Sequence, residues 1–150
     1  MTEHTRPTFS ELSRADAIAM LERHHVGRLA FTFHDRVDIE PISYVYADGW
    51  LYFRTSTGAK LSTVKHHPWV AFEIDEIRGQ YDWTSVVVRG TIYFLDAESG
   101  GPGRRDYEAA LAVIRSSDPS ALTDADATPH RTHLFRVHLD EIVGRAASSK

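Results

Sequence analysis

The chain has 150 residues, 42% of them hydrophobic and 25% charged, the proportions of one globular domain around one core. Seventeen Lys and Arg against twenty-one Asp and Glu leave a net charge of −4, with no basic surplus for nucleic acid. The absence of cysteine excludes disulfides and thiolate metal sites. No apolar run approaches a membrane span and the polar start MTEHTRPTFSE is unlike a signal peptide, so a cytoplasmic protein is expected, without membrane or nucleic-acid partners.

Residues 1–12 read as a flexible lead-in, 13–145 as a single domain and 146–150 as a tail. Ser13-Arg-Ala-Asp16 resembles a capping box, with Asp in place of the usual Glu. It opens a helix whose apolar positions Ala17, Ile18, Met20 and Leu21 form one buried face. From Val26 the period changes: Leu29, Phe31 and Phe33 alternate with Arg28, Ala30 and Thr32, a half-buried strand. His34-Asp35-Arg36 reads as a tight turn into the strand VDIEPISYVY, and Ala47-Asp48-Gly49 as a second turn into WLYFRT. A short helix is expected over 60–67, stopped by Pro68.

WVAFEID then reads as a strand with Val70, Phe72 and Ile74 on one face. EIRGQYDW reads as a loop, and TSVVVRGTIYFL as a long strand rich in β-branched residues. Gly100-Gly-Pro-Gly103 is expected as a linker before an amphipathic helix, RRDYEAALAVIRSS, with Leu111, Ala112 and Ile114 inward. Residues 118–130 are expected as loop, and HLFRVHLDEIVG as a final strand. Six strands with few helices favour a mainly β fold, a small closed barrel without exposed sheet edges.

Chemistry concentrates between Trp50 and Pro68. A strand delivers Arg54, then the hydroxyls of Thr55, Ser56 and Thr57, then Gly58, and Lys60 stands at a helix start. Those are the parts of an anion cradle: cations and hydroxyls complete the shell that backbone N–H groups begin. Other readings stand beside it. Arg54 and Lys60 read equally as solvated surface cations, Thr55 and Ser56 as helix caps, and Trp83 as a core or interface aromatic.

The segments GRLAF, EPISYVYADGWLYFRTSTGAKLSTVKHHPWVAFEID and DWTSVVVRG, in that order, resemble the pyridoxamine 5′-phosphate oxidase-like flavoproteins, in particular the nitroimidazole-reductase-like and general-stress-type branch. The resemblance implies a six-stranded antiparallel split β-barrel and a homodimer with FMN at the subunit interface. It also implies an oxidoreductase that moves electrons between a reduced donor and a small acceptor. On it, Arg54, Thr55, Ser56 and Lys60 match the family's phosphate-binding strand and cation, Ile42, Ser43 and Tyr44 the strand beside the flavin ring, and Trp83 and Ser85 the contact made by the second subunit. The cradle serves equally a protein that binds a flavin, a deazaflavin or a tetrapyrrole such as haem without turnover. No C-terminal Arg-rich segment matches the one that holds the vitamin's phosphate in true pyridoxamine phosphate oxidases, which argues against pyridoxine metabolism. Nine histidines include the adjacent pairs His24-His25 and His66-His67, whose side chains diverge on a helix, so no metal site is expected. No nucleophile motif is present, so no catalytic side chain is assigned.

Overall fold

The computed structural model describes residues 6–56, 68–98 and 100–149. Nine strands and two helices follow in the order β1 (Thr8–Glu11), α1 (Arg14–Arg23), β2 (Val26–Phe33), β3 (Arg36–Ser43), β4 (Val45–Ala47), β5 (Trp50–Thr55), β6 (Trp69–Gly79), β7 (Asp82–Leu95), α2 (Pro102–Ser117), β8 (His133–His138) and β9 (Glu141–Ser148). The mainly β, antiparallel architecture is as expected, with nine described strands where six were expected and with no pairing among described residues that closes the sheet.

The strands pair in the order β3-β2-β6-β7-β8-β5-β4, and β9 pairs with both β7 and β1. Strand β7 therefore serves two half-sheets. Its first half, Trp83–Arg89, pairs with β9, and its second half, Ile92–Leu95, pairs with β8. Gly90 sits between them, where an added Cβ would lie 1.8 Å from the carbonyl oxygen of His138; only glycine lets β8 depart there.

Local chemistry sets the turns. His34 and Asp35 take φ of 49° and 59° between the paired Phe33 and Arg36, and Asp48 and Gly49 take 49° and 85° between Ala47 and Trp50. Both are two-residue hairpins of the left-handed kind that Asn, Asp and Gly tolerate. The Oγ of Ser13 accepts from the Asp16 N–H at 3.1 Å, the capping bond that its spacing predicts.

Several boundaries differ from expectation. The stretch VDIEPISYVY is two strands, broken at Tyr44, because the Tyr44 ring turns into the core and its hydroxyl donates to the Leu21 carbonyl at 2.7 Å. The final strand likewise splits, at Leu139 and Asp140, into β8 and β9. The expected loop EIRGQYDW is the end of a long β6–β7 hairpin, with a register shift between Ile77 and Gly79 and an Arg78–Asp82 ion pair at 3.1 Å across the turn. The expected linker supplies the helix start, since Pro102 occupies the first turn of α2, where its fixed φ fits and its missing N–H has no partner to lose. In α2 it is Ala110 and Ile114 that are buried, whereas Ala112 is exposed. Residues 8–11, expected in the lead-in, form β1; all four are exposed, so no apolar pattern announced them.

Two apolar clusters hold the fold. The larger lies inside the sheet and includes Leu29, Phe53, Phe72, Ile74, Val86, Val88 and Phe135, closed at one end by Ala17, Met20 and Leu21 of α1. The smaller lies beneath α2 and joins Tyr52, Ala110, Ile114, Ala121 and Leu134. Strand β5 is buried on both faces because Leu51 and Phe53 enter the first cluster while Tyr52 and Arg54 face the second. Each large apolar side chain so buried contributes about 1.5–3 kcal/mol.

Candidate functional site

A half-open cleft of about 180 Å³ lies where β5, the C-terminal end of α2 and the loop into β8 meet the β3–β4 break. Its walls mix apolar Val26, Val45 and Ile114 with Tyr52, Ser43, Arg54 and Arg131. Strand β5 positions Tyr52 and Arg54 on the cleft side by simple alternation. Three expected site residues, Ser43, Tyr44 and Arg54, thus share one concavity.

Arg54 is only 9% exposed, and its guanidinium is fully committed. Its Nε–H donates to the Arg131 carbonyl at 3.1 Å, and Nη1 donates to Asp118 and Asp126 at 3.3 and 3.4 Å. Nη2 donates to Asp126 at 2.6 Å and to the Thr128 carbonyl at 2.9 Å. Arg offers five N–H donors, and all five are directed at protein acceptors. An Arg54 that bound phosphate would have to give up some of them. Arg54 here fastens the loop 118–131, 64 to 77 residues away in sequence, over the cleft.

Asp126 completes that fastening. Its side chain is 1% exposed and also accepts from the backbone N–H groups of Leu122 and Thr128, at 2.8 and 2.9 Å. The Arg54 hydrogen bonds first, and those backbone donors next, hold its carboxyl well below the usual carboxylate range despite its burial. The loop bends around it, with Leu122 at a φ of 56°.

The other expected site residues are distributed as follows. The Tyr44 ring packs edge-on against Phe72, and burial pushes its phenol up from the ordinary range; both its hydroxyl and its N–H have internal partners, Leu21 and His25. Ile42 packs against the large core, whereas Ser43 is exposed. Thr55 and Ser56 follow Arg54, half-buried at the end of β5, and their hydroxyls make no hydrogen bond among the described residues. Lys60, with Thr57, Gly58 and the expected helix 60–67, lies outside the described residues. Trp83 and Ser85 do not reach the cleft of their own chain. They lie on β7, Trp83 against Phe9 at 6.3 Å and Ser85 paired with Asp75 and Arg145.

His25, Tyr52, Ser117, Asp118, Thr128 and Arg131 line the cleft without having been singled out from the sequence. One signal pointed to the loop: a buried Arg needs acid partners, and the segment DPSALTDADATPH carries three Asp.

On the outer face of the half-sheet that contains β2, β3, β6 and β7, Arg28 donates to Glu73 at 2.6 Å and to Asp75 at 2.9 Å. Burial and the neighbouring Asp75 push the Glu73 carboxyl up, while the Arg28 hydrogen bonds oppose that shift. Phe9, Val26, Val37, Ile39, Trp69 and Ile77, each more than half exposed, lie on the same face, which strand alternation shares with Trp83 and Ser85. No helix among the described residues is long and apolar enough to cross a membrane.

The fold is shared with known proteins. RA0666, an uncharacterized protein of Rhizobium meliloti, is 28% identical over 141 residues, 91% of this chain and 93% of its own length. A FAD-binding protein of Mesorhizobium loti, mll6688, superposes with a TM-score of 0.73 at 27% identity, over 93% of this chain and 99% of that one. A FAD-binding protein of Mycobacterium smegmatis does so with a TM-score of 0.67 at 26% identity, over the same 93% and 99%. The model of the pyridoxamine 5′-phosphate oxidase family matches residues 13–146. The chain belongs to that family.

Proposed function

We propose that this protein is a homodimeric flavin-dependent oxidoreductase that holds FMN and acts on a small molecule. The observation that carries the reading is the pair of hydroxyls, Thr55 and Ser56, uncommitted among the described residues, at the end of β5 immediately after the cleft-lining Arg54. The two solved relatives named as FAD-binding proteins, at 27% and 26% identity, support a flavin. Five residues beyond Thr55 the sequence supplies Lys60, a point charge suited to a phosphate.

The cleft of one chain, about 180 Å³, is smaller than the roughly 300–1,000 Å³ usual for ligand sites, so a mononucleotide does not fit inside it and needs a wall beyond it. A second copy supplies it in this reading. The outer sheet face carries exposed Phe9, Val26, Val37, Ile39, Trp69 and Ile77, and such a face is ordinarily covered in an assembly. Trp83 and Ser85, remote from their own cleft, would then be presented to the partner's cofactor.

When bound, the flavin supplies the hydride chemistry. Thr55, Ser56 and Lys60 would hold its phosphate, and the chain around Ile42 and Ser43 would meet the polar edge of its ring. Arg54 would act indirectly, by keeping the loop 118–131 in place as a cleft wall.

Purified protein should be yellow, or should take up added FMN with a rise in melting temperature; ligand at a hundred times Kd stabilises by about 2.7 kcal/mol. Thr55→Ala with Lys60→Ala should abolish retention in a protein that still folds. A colourless protein that neither FMN nor FAD stabilises would sink the reading, and a larger shift with FAD would correct the nucleotide. Turnover with a nicotinamide donor separates an oxidoreductase from a protein that only binds.

A further inference from the structure

Two polar groups in the cleft, the Arg131 guanidinium and the Tyr52 hydroxyl, make no hydrogen bond among the described residues. Arg131 lines it and is exposed, and among the described residues its guanidinium makes neither ion pair nor hydrogen bond; only its backbone carbonyl is engaged, by Arg54. Tyr52 lines it and is 8% exposed, yet its hydroxyl has no hydrogen-bond partner among the described residues. The Tyr52 ring is buried while its hydroxyl opens onto the cleft, where water or a ligand can complete its hydrogen bonds. Apolar side chains flank them, Val45 opposite Tyr52 on the neighbouring strand, Val26, and Ile114 of α2, alongside the polar Ser43, Ser117 and Thr128.

Charge bookkeeping narrows what fits. Asp118 and Asp126 are both directed at Arg54, so that cation is neutralised where it stands. Arg131 is left as the uncommitted arginine of the cleft among the described residues, and the exposed Asp118 carboxylate nearby disfavours a dianion such as a phosphate monoester. A guanidinium, one phenolic hydroxyl and apolar walls in a small volume suit a compact apolar body that bears one carboxylate.

We propose that this cleft, too small for the flavin itself, is a subsite beside it for a small monoanionic carboxylate, its charged group held by Arg131 and the Tyr52 hydroxyl and its body against Val26, Val45 and Ile114. Naming that carboxylate as the molecule on which the flavin acts rests on the function proposed above; the binding itself does not. Arg131 and Tyr52 are assigned binding, and so specificity, not a chemical step.

The test uses the full chain, as purified and after incubation with FMN, with benzoate as probe and benzamide as its neutral isostere. Calorimetry or ligand-observed NMR should show benzoate binding at least about tenfold more tightly than benzamide, the size of one charge-assisted pair. Arg131→Gln should remove that preference and leave benzamide unchanged, and Arg131→Lys should restore part of it. Tyr52→Phe, which keeps the buried ring, should weaken benzoate severalfold with an unchanged melting temperature. Equal binding of the two probes by the native chain overturns the proposal. So does an Arg131→Gln variant that keeps the preference, or one that instead loses flavin retention, which would assign Arg131 to the cofactor. Selective benzoate binding by a chain that takes up no flavin would uphold the subsite and sink the oxidoreductase reading; flavin uptake without selectivity would do the reverse.

Discussion

Asp126 and Arg54 form a buried pair whose halves have unequal consequences when removed. Arg54→Met leaves a nearly buried carboxylate without its cation and should markedly lower the denaturant midpoint. The pair also gives stability a pH dependence. Because the folded carboxyl of Asp126 titrates below its unfolded value of about 3.9, its contribution is complete above that pH and is lost as pH falls from there toward the folded value. Unfolding midpoints between pH 6 and pH 3 should therefore fall more steeply for the native chain than for Asp126→Asn, and parallel curves would remove Asp126 from the account. Arg54 also shows why a sequence misleads at this scale. Strand alternation let Arg54 read as a surface cation, whereas it is buried beside the cleft with partners 64 to 77 residues away, beyond the reach of any local pattern.

Among the elements, those set by neighbours in sequence were legible. The Ser13 cap, the two left-handed hairpins and the inward face Val70, Phe72 and Ile74 follow from side chains within a few residues of one another. Ser13→Ala should cost about 1 kcal/mol and Ser13→Asp almost nothing, as thermal melts would show. Partner exchange between strands was not legible. The break at Tyr44 depends on a carbonyl of α1, and the branch at Gly90 on the backbone of β8. Gly90→Ala should destabilise by more than about 2 kcal/mol, since backbone at 1.8 Å cannot yield as a flexible side chain can. Gly79→Ala is the control: its nearest neighbour, the Asp82 Cβ, is 3.9 Å away, and its melting temperature should be close to native.

Over the whole molecule, the outer sheet face sets the expected assembly. Val37 and Ile39 are 82% and 61% exposed on β3, the edge strand of its half-sheet. Val37→Lys with Ile39→Lys should convert a dimer to a monomer in light scattering and, if the partner completes the cofactor site, release flavin at the same time. A native chain that is monomeric at micromolar concentration would refute that arrangement. The fold class was readable because binary patterning marks strands. The cleft was not, since it exists only where three distant segments converge.

The pairing of β1 with β9 imposes an order on synthesis. Thr8 lies opposite Ser148, and the Thr8 hydroxyl donates to the Ser148 carbonyl across 140 residues of sequence. At roughly 5–20 residues per second, the first strand leaves the ribosome many seconds before its mate is made. During that wait the β6–β7 hairpin can already form, but the N-terminal strand cannot dock. Completion of this sheet therefore waits for the synthesis of β9, and a translation product cut short before it would expose both the edge of β7 and an unclaimed β1 to aggregation.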